Sequence, residues 1–188
     1  MADAATRRLP RAVRHAQLVQ AASSAFLEGG YAATTMDAVA ERAGVTRLIV
    51  YRHFDSKDAL YREVLASVTV QLRVRVDPTR PGDITARLVE VAREQPDAFR
   101  LLWRHARHEP EFAAEAELFR LAAAGFAHDI IGRFIADGDT LRWASATLVD
   151  HLHDGICNWL DSGDPALDGE FADRLHAGAR ALVAAWAG

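Results

Sequence analysis

Apolar residues recur every three or four positions along most of the chain, and this helical periodicity limits the possible folds more than any other feature of the sequence. Met36, Val39, Ala40 and Ala43, for example, have the spacing of one face of a helix. The alternation of apolar and polar residues that is typical of strands is nearly absent. Residues 72–76 come nearest to it, and the end of a helix explains them equally well. The spacing therefore predicts an all-α protein.

Glycine, proline and helix-capping residues divide the periodic pattern into nine predicted helices. The first follows Pro10 and closes at Gly29 and Gly30, and the third runs to about His53. The long seventh helix carries an aromatic stripe and ends at Gly138. The predicted starts of the second to eighth helices are Thr34 or Thr35, Thr46, Ser56, Asp83, Pro96, Pro110 and Thr140. The last helix follows a break at Ser162, Gly163 and Pro165.

The composition excludes several classes of protein. No apolar run reaches the ~18 residues that suggest a membrane span, and the arginines near Met1 are not followed by an apolar stretch with a cleavage site. Cys157 is the only cysteine, which excludes an internal disulfide and a multi-cysteine metal site. We therefore expect a cytoplasmic protein with no membrane partner.

The net charge of −4 hides an uneven distribution. Residues 1–62 contain nine Lys and Arg against six Asp and Glu, whereas residues 63–188 contain 13 against 20. A basic front on an acidic body predicts that only the front meets a polyanion.

Residues 35–54 have the pattern of a helix-turn-helix. Two short predicted helices are joined at Gly44, which can take the positive φ that a tight reversal needs. Ala40, Val45 and Val50 can pack between the two helices. The second helix would fit the major groove of DNA. The side chains that it would expose are Arg47, Leu48, Tyr51 and Arg52.

The residue order around this segment is more specific than the pattern alone. Residues 26–31 read FLEGGY, 34–40 TTMDAVA, 43–46 AGVT, 50–54 VYRHF and 56–60 SKDAL. This string, which covers roughly the first third of the chain, strongly resembles the tetracycline-repressor (TetR) family of bacterial transcriptional regulators.

The resemblance implies a nine-helix, TetR-like architecture. A three-helix helix-turn-helix head over residues 14–62 would precede a helical ligand-sensing and dimerisation body over residues 63–188. Residues 1–13 would form a basic, flexible arm, for which a role in the minor groove and a solubilising role both remain open.

Carried over position by position, the resemblance assigns DNA contacts to nine residues. Thr34 or Thr35 would contact a phosphate while capping the second helix, and Thr46 would do the same for the recognition helix. Arg47 would reach base edges. Leu48 stands where the family often has glycine, and it can only pack on a thymine methyl. Phosphate contacts are expected from Tyr51, His53 and Lys57. Arg52, which is exposed on the same helix, is the ninth residue of the set.

The body is rich in aromatic residues, and the resemblance implies a ligand cavity there. The candidate lining is Trp103, Phe119, Phe126 and Trp159, with His151, His105 or Asp150 supplying a polar group. Aromatic stripes on helices are more often core, so each of these residues could instead be purely structural. The expected effector is a small, largely apolar molecule.

The last two helices contain small residues that allow close helix approach, among them Gly155, Ala177, Gly178 and Ala181. In the family this helix pair forms the interface of a homodimer, although it could simply cover the core of one subunit. Two-fold pairing also supplies the DNA surface that one small helix-turn-helix lacks, so the expected partner is a palindromic double-stranded operator.

Catalysis, metal binding and a cofactor are not expected. The sequence has no phosphate-binding glycine loop and no nucleophile elbow, and His151 and His153 lie about 200° apart on a helix. The predicted function is therefore a ligand-responsive homodimeric transcriptional regulator, with repression as the expected mode. The alternative is a helical small-molecule-binding protein or enzyme that has lost DNA binding.

Overall fold

A computed structural model describes residues 9–136 and 138–187, and within them the regular structure consists of nine α-helices and short helical turns, without a strand. This confirms the all-α, nine-helix prediction. The helices are α1 (Arg11–Ala33), α2 (Met36–Arg42), α3 (Arg47–Tyr51), α4 (Lys57–Arg75), α5 (Ile84–Glu94), α6 (Pro96–Arg100), α7 (Ala113–Ile131), α8 (Asp139–Ser162) and α9 (Asp168–Trp186). None of the described helices is long and apolar enough to cross a membrane.

The chain divides into two compact units, with the division between Val64 and Leu65. We call them the head and the body. The sequence placed this division after Arg62. The predicted arm over residues 1–13 falls largely outside the described residues, since residues 1–8 are not described, and Arg11 begins α1.

The head is built from α1, α2, α3 and the first part of α4 around an apolar and aromatic core. Leu18, Val39 and Leu60 are fully buried in it. The Tyr61 ring meets the Phe26 ring edge to face at 4.9 Å and the Tyr31 ring at 5.2 Å. Aromatic pairs in this geometry add stabilisation beyond the area that they bury.

Gly30 interrupts α1 near its end. Its backbone has φ of +72° and ψ of 163°, a conformation that residues with a Cβ rarely adopt. The glycine pair at 29 and 30 therefore marks the point where the chain leaves the first helix and turns toward α2.

Several helix boundaries in the sequence prediction are wrong. The third helix ends at Tyr51 rather than near His53, and the eighth begins at Asp139 rather than after Thr140. The seventh ends at Ile131 rather than Gly138, because the chain turns at Gly132 and buries Ile135.

The helix that starts at Pro96 does not stay regular. After α6 it widens into a π-helical turn over Leu101–His105 and then tightens into a 3₁₀ turn over Ala106–His108. The three consecutive side chains of Leu101, Leu102 and Trp103 are all buried in the body. The sequence predicted one regular helix through this segment.

Candidate functional site

The turn between α2 and α3 has the geometry of a helix-turn-helix. Gly44 adopts φ of +64°, and the Val45 amide donates to the Ala40 carbonyl at 2.9 Å. Val50 is fully buried and Ala40 nearly so. The reversal at Gly44 and the burial of these apolar side chains fix α3 on the head.

The outward face of α3 carries five of the predicted DNA-contacting residues. Leu48 is 61% exposed and Tyr51 is 39% exposed. The other three exposed residues are Thr46, Arg47 and Arg52. The structure thus brings together a guanidinium, a phenol and an apolar side chain, the types that read base edges, phosphates and thymine methyl groups.

Arg47 is engaged within the head. Its guanidinium donates to the Asp37 carboxylate of α2 at 2.8 Å and to the Tyr51 hydroxyl at 3.3 Å, with the Tyr51 ring centroid 5.1 Å away. The bond with Tyr51, together with the charge of Asp37, raises the pKa of Arg47 above its ordinary value. Arg47 is therefore a fixed positive charge, held on the exposed face by one carboxylate.

The three threonines have different environments. Thr35 caps α2, since its hydroxyl accepts from the Ala38 amide at 3.1 Å, and it is exposed. Thr34 does not cap α2. It is buried, and its hydroxyl lies 2.7 Å from the Gly30 carbonyl and 3.1 Å from the Ala25 carbonyl. Thr46 precedes α3, but its side chain makes no capping bond.

Lys57 is held by the end of α1. Its ammonium donates to the Tyr31 carbonyl at 2.8 Å and to the Ala32 carbonyl at 3.2 Å, and it lies 4.3 Å from the Tyr31 ring centroid. Lys57 starts α4, next to the capping hydroxyl of Ser56, which accepts from the Ala59 amide at 3.0 Å. The structure therefore gives Lys57 a role in closing the head, beside its predicted phosphate contact.

His53 is half-buried at the foot of the recognition helix. Burial lowers its pKa, and the neighbouring His15, Arg11 and Arg14 lower it further. These effects favour the neutral form of the His53 ring in the protein without DNA.

The body contains a cavity of about 1220 Å³. Its walls come from the second part of α4 and from α5, α7, α8 and α9. Most lining residues are apolar, among them Leu72, Leu88, Phe119, Phe126 and Leu152. The charged and titratable residues in the lining are Arg73, Glu115, Arg133, Arg180, His153 and His176.

Phe119 and Phe126, two of the five predicted ligand residues, line this cavity, whereas Trp103, His151 and Trp159 do not. The Trp103 indole N–H donates to Asp154 at 2.6 Å, and the guanidinium of Arg120 covers its ring at 3.7 Å. Trp103 is thus part of the core of the body. His105 and Asp150, the alternative polar groups, also lie outside the lining.

Trp159 and His151 belong to α8, and their side chains contact residues of α9. The Trp159 ring stacks on Phe171 at 4.5 Å, and its N–H donates to Asp168 at 2.7 Å. His151 packs against Gly178, where an added Cβ would come 3.0 Å from its Nε2. Both residues therefore hold the helix pair together.

Sequence reasoning did not select His153, which lines the cavity and is only 5% exposed. It considered this histidine only as a metal partner of His151. The helical spacing of the sequence could have predicted its burial. His153 lies on the same face of α8 as the apolar residues Val149, Leu152 and Ile156, which are all buried.

Neither a metal centre nor a reactive thiol is found in the described part of the chain. No group of three or more His, Cys, Asp and Glu side chains there could hold a metal ion. Cys157 is fully buried, and burial raises the pKa of its thiol to about 11. A thiol with this pKa is a poor nucleophile at neutral pH.

Comparison with known proteins gives two kinds of match. Residues 18–64 match the family model described as "Bacterial regulatory proteins, tetR family". Over 169 residues the chain is 31% identical to the HTH-type transcriptional activator FasR of Mycolicibacterium smegmatis, and the match covers 84% of this chain and 77% of FasR.

Solved structures share the whole fold. A TetR-like transcriptional regulator from Rhodococcus sp. RHA1 matches with a TM-score of 0.73 and 22% identity, over 94% of this chain and 99% of that one. NalD, described as the secondary repressor of the MexAB-OprM multidrug efflux pump in Pseudomonas aeruginosa, matches with a TM-score of 0.67 and 24% identity, over 92% of this chain and 97% of NalD.

Proposed function

Since this chain belongs to the TetR family and is a DNA-binding transcriptional regulator, we propose that it is a homodimeric repressor that leaves a palindromic operator when a small, largely apolar molecule binds. The observation that carries the proposal is the combination, in one chain, of an exposed recognition helix and a large apolar cavity.

The operator is expected to be a palindrome because one head presents very little reading surface. Helix α3 has five residues, and its exposed members are Arg47, Leu48 and Tyr51. So small a set gives limited affinity by itself, whereas two heads related by a two-fold axis double the contacts.

The exposed faces of α8 and α9 support dimerisation. Trp143 on α8 is 53% exposed, which is unusual for a large aromatic side chain on a monomer surface. Ala177, Ala181 and Ala185 on α9 are exposed and recur at four-residue spacing, so they share one face with little side-chain bulk. Such a face lets a second copy approach closely.

The cavity supports an apolar effector. Its volume of about 1220 Å³ is large enough for a molecule of drug size, and its lining is mostly aliphatic and aromatic. A ligand that binds better to the DNA-incompetent arrangement of the dimer would lower operator affinity.

Repression is the proposed mode, by analogy with NalD and in contrast to FasR, whose name makes it an activator. A reporter gene placed under the promoter of the regulator's own gene distinguishes repression from activation. Deleting the regulator should raise expression if it represses and lower expression if it activates.

A gel-shift assay with the DNA upstream of its own gene tests DNA binding. We expect one dimer per site, with an affinity that falls steeply as salt increases, because arginine and helix-end contacts displace counterions. A protein that binds the apolar effector but shifts no DNA at low salt would instead support the alternative, a helical small-molecule-binding protein.

Arg47→Ala tests the register of the recognition helix. We expect a loss of about 1–3 kcal/mol in operator affinity, together with relaxed preference at one base position per half-site. Binding isotherms on operators with single base changes measure both effects. Arg142→Ala, which removes an exposed arginine of the body, serves as the control and should bind operator like the wild type. An unchanged base preference in Arg47→Ala would show that another residue reads that base.

A further inference from the structure

His153 is a polar group set in the wall of an otherwise apolar cavity. It is only 5% exposed, and its ring stacks on Trp103 at 4.3 Å. Phe119 meets the ring nearly edge to face at 5.7 Å, and the Phe99 ring lies parallel to it at 5.8 Å. Aromatic neighbours thus fix the orientation of the imidazole before any ligand arrives.

One ring nitrogen is already committed. His153 Nδ1 lies 2.9 Å from the Val149 carbonyl oxygen, which can only accept a hydrogen bond. Nδ1 must therefore carry the hydrogen. Burial lowers the pKa of His153 to about 4, against the opposing effect of this bond, so the ring is neutral near pH 7. In a neutral ring with a hydrogen on Nδ1, Nε2 has a lone pair and no proton.

Nε2 has no hydrogen-bond partner among residues 9–136 and 138–187. Since Nδ1 points back to its own helix and the ring face is covered by Trp103, the free edge of the ring faces the cavity. Nε2 of His151 is fully buried without a partner, but Nε2 of His153 is not fully buried, and it is accessible from the cavity. A ligand that covers it without bringing a donor deprives it of the hydrogen bond that water would give it. This edge therefore favours a ligand that brings a donor.

We propose that the effector of this cavity has an apolar skeleton with a hydroxyl or N–H group, and that this group donates a hydrogen bond to Nε2 of His153. The inference rests on the proposed function, in which the cavity is the effector site, and it specifies the chemistry of the ligand.

The same geometry disfavours two other ligand classes. A pure hydrocarbon leaves Nε2 without a hydrogen bond. The oxygens of an ionised carboxylate are acceptors only, so their lone pairs would repel the lone pair of Nε2. A cationic donor is disfavoured because three arginines, Arg73, Arg133 and Arg180, line the cavity against one glutamate, Glu115. A neutral alcohol, phenol or amide N–H satisfies all of these constraints.

The test compares three fluorescent probes of similar shape on the full-length protein: 1-hydroxypyrene, 1-methoxypyrene and 1-methylpyrene. Only the first can donate a hydrogen bond. We expect wild-type protein to bind 1-hydroxypyrene about tenfold more tightly than the other two. This comparison needs no variant, so it does not depend on how a substitution affects folding.

Two substitutions then locate the acceptor. His153→Phe keeps an aromatic ring against Trp103 but removes the acceptor, and the preference for 1-hydroxypyrene should disappear while 1-methylpyrene still binds. His153→Gln keeps an acceptor near the Nε2 position and should retain part of the preference. Far-UV circular dichroism and thermal unfolding check that each variant is folded.

The failures of the two proposals are distinguishable. Equal binding of all three probes to wild-type protein, or an unchanged preference in folded His153→Phe, overturns the role of His153 and leaves the effector cavity standing. If none of the probes binds, the cavity does not accept apolar molecules, and the effector site and this inference fall together.

Discussion

In the proposed function, Arg47 reads a base, and to do so it has to exchange an intramolecular carboxylate for DNA. Its partner Asp37 lies on α2, and both side chains of the pair are 60% exposed. Exposed ion pairs of this kind contribute little free energy and are screened by salt. We therefore expect the pair to lower operator affinity slightly without preventing binding.

Asp37→Asn should increase DNA affinity, because it frees Arg47 and removes a negative charge near the phosphates. The expected gain is a few-fold, in keeping with the ~0.2–1 kcal/mol of an exposed pair. Fluorescence anisotropy with a labelled operator measures it. Glu41→Gln removes a carboxylate from the same helix and provides the charge-matched control. A gain that persists in the Asp37→Asn, Arg47→Ala double variant would be a general charge effect rather than release of Arg47.

The buried His153 links stability to pH. Its pKa is lowered from 6.5 to about 4, so the unfolded state binds a proton at a higher pH than the folded state does. The free energy of unfolding should therefore fall as pH decreases from about 6.5 toward 4, by about 3 kcal/mol in total. Urea unfolding at a series of pH values measures this. His153→Phe should lose that part of the slope, and an identical slope in both proteins would contradict the assignment.

At the scale of single residues, exposure was predictable and tertiary partners were not. Helical phase placed Arg47, Leu48 and Tyr51 on the outer face of α3, where the structure has them. The burial of Thr34 and the attachment of Lys57 to the end of α1 depend on how α1 meets its neighbours. No local pattern in the sequence encodes such long-range contacts.

At the scale of elements, periodicity predicted the number of helices, but it failed where packing overrides the pattern. In the sequence, aromatic and apolar residues continue at helical spacing as far as Phe134. In the structure, however, α7 ends at Ile131. The turn buries Ile135, and Leu141 at the start of α8 is buried as well. Similarly, nothing local distinguishes the π-helical turn over Leu101–His105 from the regular helix before it.

Gly30 tests the backbone argument for the end of α1. Gly30→Ala should destabilise the protein by about 1–3 kcal/mol, because φ of +72° with ψ of 163° is strained for any residue with a Cβ. Space is not the cause, since no atom lies within 4 Å of the added Cβ. Gly125→Ala is the matched control. It is equally unobstructed but lies inside α7, so it should stabilise by about 0.5–1 kcal/mol. Thermal or urea unfolding measures both, and equal effects would exclude backbone strain.

At the scale of the molecule, α4 belongs to both units. It begins with Lys57 in the head, passes the division between Val64 and Leu65, and contributes Thr69 and Leu72 to the cavity wall. An effector bound in the cavity, as proposed, would therefore contact a helix that continues into the head. Coupling of this kind changes affinity by about 1–3 kcal/mol.

Ala66→Gly should weaken this coupling. Ala66 is exposed next to the division, and glycine there reduces helix stability by about 1 kcal/mol without removing a cavity residue. Operator affinity without ligand and ligand affinity without DNA should stay near wild type, while the ligand should release the operator less effectively. Gel shifts with and without a compound that releases the wild-type protein measure the ratio of the two operator affinities. Ala114→Gly in α7 is the control, and an equal loss of coupling there would show that α4 has no special role.

The burial of Cys157 makes site-specific labelling straightforward. Its thiol is inaccessible and almost entirely protonated at neutral pH, so maleimide reagents should leave it unmodified. Since the chain has no other cysteine, a cysteine introduced on an exposed head position such as Gln20→Cys would be the one reactive thiol of each subunit. Paired spin labels at that position would then report the distance between the two heads of a dimer directly, with and without effector, without first removing the native cysteine.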